Sequence, residues 1–119
     1  MDLPEFEKII NESFEKIPAE FRNILKKEKI KLLAREKVPA PLKVKYSGSV
    51  VFGVFVGVPY TERTVFNIQQ EPTRIELYKE SFEQEFSSGK DMQAQIVKTV
   101  VHEIGHYFGF SEKELRKYL

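Results

Sequence analysis

The chain has no cysteine and no tryptophan, and only two methionines and two histidines in 119 residues. Without cysteine there is no disulfide framework, no thiolate metal site and no thiol nucleophile, so any metal must be held by imidazole and carboxylate. A surplus of one charge sign is also missing: 19 Lys and Arg stand against 18 Asp and Glu, a formal net charge of +1. That balance disfavours nucleic acid as a partner, since nothing is left over to neutralise a row of phosphates. No apolar run approaches the roughly 18 residues that a membrane span needs, so no membrane partner is expected. The opening residues Met1-Asp2-Leu3-Pro4-Glu5 lack a basic segment followed by an apolar one. No secretory signal is visible, and a cytoplasmic setting is the expectation.

What is present is large and apolar. Ten Phe and five Tyr within a 41% hydrophobic fraction can fill a compact core, and the length suits one domain over residues 1–119. From Leu3 to Ile17 the residues Leu3, Phe6, Ile9, Ile10, Phe14 and Ile17 recur at helical spacing, which predicts an amphipathic helix ended by Pro18. Phe21, Ile24 and Leu25 suit another short helix. Lys29-Ile30-Lys31-Leu32 then alternates at the strand period, with a helix running on through Leu33 as the other reading. Pro39 and Pro41 predict a loop. Val50 to Val58 is β-branched and aromatic, the strongest strand signal in the chain, ending in a turn at Val58-Pro59. Thr64–Ile68 and Thr73–Tyr78 are weaker strands, read as an antiparallel pair or short meander. From Asp91, the residues Met92, Ile96, Val97, Val100, Val101 and Ile104 predict a long helix to about Phe108, closed by Gly109. Ser111 with Glu114 forms a capping-box pattern for a short last helix from Glu112.

Both histidines lie in that long helix, as His102-Glu103-Ile104-Gly105-His106. At i and i+4 the two imidazoles share one face and can reach a single Zn²⁺ at about 2.0–2.1 Å. Glu103, one position round, can contact an activated water without being a ligand. This is the H-E-x-x-H pattern of metal-assisted hydrolysis, in which the metal lowers the water's pKa and the Glu moves its proton. Shuffling the chain's own residues would place its two His four apart, with Glu after the first, in roughly one arrangement in several hundred. The plain alternative has both His on a solvated helix face.

Gly109 follows His106 by three and Glu112 follows Gly109 by three, extending the pattern to H-E-x-x-H-x-x-G-x-x-E. That is the metzincin ligand spacing with Glu in place of the third His. A glycine able to take φ > 0 can turn the backbone out of the helix and bring position 112 back beside the imidazoles. Glu112 reads either as the third ligand or as an acid favoured in the first turn of a capped helix, and the two are compatible. A thermolysin-type Glu some twenty residues beyond the second His finds no position before Leu119, so it is not expected.

The run TVVHEIGHYFGFSEKEL resembles the C-terminal block of the small single-domain bacterial zincin-like metallopeptidases, also described as minimal metzincin-like proteins. The likeness continues upstream through Gly53-Val54-Phe55-Val56-Gly57-Val58-Pro59, Arg63 and Pro72-Thr73-Arg74-Ile75-Glu76-Leu77-Tyr78, covering roughly the C-terminal two-thirds. It implies an α+β fold, a minimal zincin-like domain whose small mixed or antiparallel sheet packs on an N-terminal helix and a long active-site helix. It also implies one Zn²⁺ held by His102, His106 and an acidic third residue, here Glu112, with Glu103 as general base. The family's third ligand is usually Asp, one methylene shorter, and the Met-containing turn of full metzincins has no counterpart before Leu119.

Gly57 and Pro59 are read as turn residues, and Arg63 and Arg74 as surface or ion-pair groups. Tyr60, Tyr78 and Tyr107 are each candidates to donate to a developing oxyanion, with nothing to select among them. The expected function is zinc-dependent hydrolysis of a peptide or protein substrate. The alternative is a metal-binding module on the same scaffold without proteolytic activity, and the third reading is a structural domain with no metal.

Overall fold

The structure, a computed structural model, describes residues 1–57 and 73–118. Its described residues form six α-helices and a three-stranded mixed sheet, the α+β architecture expected from the sequence. In chain order they are α1 (Leu3–Phe14), α2 (Ala19–Lys27), β1 (Lys31–Arg35), α3 (Ala40–Lys45), β2 (Gly53–Val56), β3 (Arg74–Tyr78), α4 (Lys79–Glu85), α5 (Gly89–Tyr107) and α6 (Glu112–Leu115), followed by a 3₁₀ turn at Arg116–Tyr118.

Asp2 caps α1, its carboxylate accepting the Glu5 N–H at 2.9 Å, and the apolar stripe buries Phe6 and Ile10. The helix stops at Phe14 rather than at Ile17. Ile17 is buried all the same, and Pro18, whose ring suits a helix start, serves as the N-cap of α2. Lys29 has φ 55°, ending α2 and turning the chain into β1. The strand reading of this stretch therefore holds, with β1 placed slightly later than Lys29–Leu32.

β3 is the central strand. It pairs in parallel with β1, Lys31 opposite Arg74 through Arg35 opposite Tyr78, and antiparallel with β2, Gly53 opposite Leu77 through Val56 opposite Arg74. Ile75 and Leu77 on one face of β3 join Phe6, Phe82, Ile96, Val100 and Ile104 in the core, so α1 and α5 both lie against that face. The strongest strand signal shortens to Gly53–Val56. The loop expected around Pro39 and Pro41 is instead the helix α3, with Pro39 as N-cap and Pro41 in the first turn. Proline breaks a helix interior, but in the first turn its missing N–H is one that no helix would bond. The strand expected at Thr64–Ile68 and the turn at Val58-Pro59 lie outside the described residues.

Candidate metal centre

The element that carries the site is α5. Ser88 starts it, its hydroxyl accepting the Asp91 N–H at 3.1 Å, and Asp91 complements the positive end of the helix dipole. Ile96, Val100, Val101 and Ile104 are wholly buried and fix the rotation of the helix about its axis. With that face pinned, Gln95, Thr99, His102 and His106, at i, i+4, i+7 and i+11, form a second stripe along one side.

The helix ends through a Schellman turn. The Phe110 N–H donates to the Gly105 carbonyl at 2.7 Å and the Gly109 N–H to the His106 carbonyl at 3.2 Å. Gly109 takes φ +78°, the left-handed conformation that this closure requires and that glycine adopts without strain. Ser111 then caps α6 in the expected capping box, exchanging bonds with Glu114 at 3.1 Å in each direction. Leu115, the last residue of α6, is fully buried against α5 at Gly105. A Cβ at position 105 would stand 2.5 Å from Leu115 Cδ2. Glycine inside a helix costs about 1 kcal/mol relative to alanine. Here it lets α6 seat directly on the motif helix, and that seat returns Glu112 to the two imidazoles.

Glu112 Oε1 lies 3.1 Å from His106 Nε2, and its Oε2 lies 3.7 Å from His102 Nε2. The two imidazole rings are nearly parallel, 11° apart in plane, with centroids separated by 6.0 Å. The His106 hydrogen bond, followed by the field of both histidines, holds the Glu112 carboxyl below its ordinary pKa. Among the described residues no group of three His, Asp or Glu side chains is drawn together as a finished cation cage. What stands here is a hydrogen-bonded imidazole–carboxylate pair with the second imidazole beside it. Donors of a tetrahedral zinc with bonds of about 2.0–2.2 Å are about 3.3–3.5 Å apart. The two nitrogen–oxygen separations bracket that span, while the imidazole centroids stand 6.0 Å apart, so the three side chains are gathered at one place without being set at ligand spacing.

Glu103, which follows His102 directly, is half-buried. Burial pushes its pKa up, with the nearby His106 opposing. Together with His102, His106, Gln95 and Thr99 it lines one wall of a cleft of about 370 Å³. The other wall is the segment 49–54, which runs into β2, and Tyr46 at the end of α3. Beyond β3, β2 has no partner strand among the described residues.

All four predicted site residues thus meet at one end of α5. The tyrosines sort differently. Tyr78 donates its hydroxyl to Glu76 Oε1 at 3.3 Å, and Tyr107 stacks on Phe55 with centroids 4.1 Å apart. Neither lines the cleft, whereas Tyr46, which sequence reasoning passed over, does. Arg74 is an ion-pair group, 2.9 Å from Glu76; Tyr60 and Arg63 lie outside the described residues. Gln95 and Thr99 were also passed over, although two polar residues in helical register with the histidines were a usable signal.

A family model described as zincin-like metallopeptidase matches residues 31–118, nearly the whole stretch from β1 to the final 3₁₀ turn. No curated protein matches the chain.

Proposed function

The chain belongs to the zincin-like metallopeptidase family, and from that premise we propose that it is a zinc-dependent peptidase. In this reading His102, His106 and Glu112 hold one Zn²⁺ and Glu103 is the general base. The supporting observation is the seat of α6 on Gly105, which sets the Glu112 carboxylate 3.1 Å from His106 and 3.7 Å from His102. Bound zinc would supply Lewis acidity, lowering the pKa of a water toward about 7 and polarising a peptide carbonyl.

The chain's own groups do the rest. His102 and His106 would each offer a ring-nitrogen lone pair to the ion, and Glu112 would contribute negative charge from an adjoining helix. Glu103, partly desolvated and with a raised pKa, is poised to take a proton from water through its carboxylate and return one to the departing amine. The side of β2 away from β3, which no described strand pairs, offers main-chain groups along which an extended peptide could lie.

The test is the metal content, by elemental analysis, of protein purified without a histidine tag. One equivalent of zinc is expected in the wild type, lost in His106→Ala and weakened in Glu112→Ala. No metal in the wild type, even after incubation with excess zinc, would overturn the proposal.

A further inference from the structure

Among the described residues, the cleft beside the motif is lined by no charged side chain apart from His102, Glu103 and His106 themselves. Its remaining described side chains are aliphatic, aromatic, hydroxyl or amide, among them Val51, Val54, Gln95 and Thr99. On the far side of the segment 46–51 a second pocket, of about 250 Å³, is lined by Lys43 and Glu80, which are 3.2 Å apart. The described charges of the first cleft therefore sit at the motif, and those of the second pair with each other.

Thr99 and Gln95 lie three and seven residues before His102 on the cleft-facing stripe, and Gln95 Nε2 donates to Thr99 Oγ1 at 3.2 Å. Four residues of helix separate them by about 6 Å along the axis. Alternate side chains of an extended peptide are about 6.4–6.8 Å apart. A peptide lying along α5 with its reactive bond over the motif therefore presents one side chain to Thr99 and the next on the same side to Gln95. Thr99 and Gln95 are themselves uncharged, so a charged side chain at either place would give up water without a counter-charge from the residue it faces, which is the unfavourable case for burying an ion.

We infer that the cleft selects peptides with uncharged side chains at two alternate positions on one side of the scissile bond, and that Gln95 sets the charge rule at the farther of the two. This rests on reading the site as one that binds peptides, and it adds a substrate class and a specificity-determining residue.

The experiment reads binding, not cleavage. Fluorescein-labelled peptides carrying Val, Gln, Lys or Glu at the two positions are titrated by anisotropy against zinc-loaded protein, in the Glu103→Gln background so that none is cut. Val and Gln peptides are expected to bind at least about tenfold tighter than Lys or Glu peptides. Adding Gln95→Glu, a change of nearly equal size, is expected to bring the Lys peptide up by about tenfold and weaken the Glu peptide further, and Gln95→Lys to do the reverse. Equal binding of charged and neutral peptides, an unchanged ranking in both Gln95 variants, or no binding of any peptide would overturn the inference. A chain that holds no zinc yet ranks peptides in this way would sink the peptidase reading and keep this one. A zinc peptidase that binds charged and neutral peptides alike would sink this one alone.

Discussion

Glu76 and Glu112 each stand between two nitrogen-bearing side chains, and the two clusters differ in what they leave open. Glu76 on β3 accepts from Arg74 Nε at 2.9 Å, Arg35 Nη2 at 3.2 Å and the Tyr78 hydroxyl at 3.3 Å, with its side chain only 11% exposed. Glu112 faces His106 and His102 with its side chain 61% exposed. Arginine carries its proton at every physiological pH and has no lone pair to offer, so the Glu76 cluster is closed. Neutral histidine has such a lone pair, and the Glu112 cluster is open to an ion. The same count of acids and bases thus makes a brace in one place and a candidate ligand set in the other.

The largest expected effect tests the chemistry beside the open cluster. Glu103→Gln is expected to lower kcat/KM for peptide hydrolysis by about 10²–10⁴-fold with bound zinc unchanged. Glu76→Gln, assayed where it stays folded, should leave the rate near wild type. Next is the ion itself. Free zinc at a hundred times its Kd is expected to stabilise the chain by about 2.7 kcal/mol against urea, an increment that chelator removes. His106→Ala should abolish that increment and Glu76→Gln should retain it.

In metal-free protein the order reverses. Glu76→Ala removes the buried carboxylate that Arg74, Arg35 and the Tyr78 hydroxyl all donate to and is expected to cost about 1–3 kcal/mol in urea unfolding. Glu112→Ala should stay within about 0.5 kcal/mol. Equal losses at the two sites would erase the contrast between them.

The smallest effect is in pH dependence. Burial alone would raise the Glu76 pKa, but the bonds and charges of Arg74 and Arg35 outweigh it and hold the carboxyl below its ordinary value. Its stabilisation is therefore complete above the ordinary carboxylate range and is lost as pH falls through the lowered value, so Glu76→Gln should flatten the acid limb of a Tm profile. Tyr78, pushed up to about 12 by burial and by the Glu76 charge, stabilises the fold below pH 10 and loses that contribution as pH rises toward 12. Tyr78→Phe should remove a phenolate absorbance transition near 12.

The same contrast explains how much could be read from the sequence. The open cluster was legible because its parts sit within eleven consecutive residues, where helix period, a glycine stop and a capping box are all local signals. The closed cluster was not, because Arg35 and Glu76 meet only through the parallel pairing of β1 with β3, which no local pattern encodes. The long helix and a strand at Thr73–Tyr78 were legible from local pattern, and the α+β class from the family resemblance; that this strand is the central one was not. The helix at Pro39–Pro41 was misread by taking proline as a breaker at the one place in a helix that favours it. α4 went unread: Lys79-Glu80-Ser81-Phe82-Glu83-Gln84-Glu85 is mostly polar, and its buried Phe82 gives a single anchor rather than a stripe. The role of Gly105 was not legible either, because the Leu115 side chain that needs the space is brought to it by the turn of the chain after the helix.

That approach has a consequence for the ion. Two imidazoles on a rigid helix are a bidentate clamp, and a third donor supplied from bulk solution would have to be present at very high concentration to matter. Docking Leu115 against Gly105 tethers Glu112 to the clamp and converts its arrival into an intramolecular event with a high effective concentration. At the proposed zinc site, metal affinity would then follow how firmly α6 is docked, and a buried leucine remote from the ion would help decide how tightly it is held.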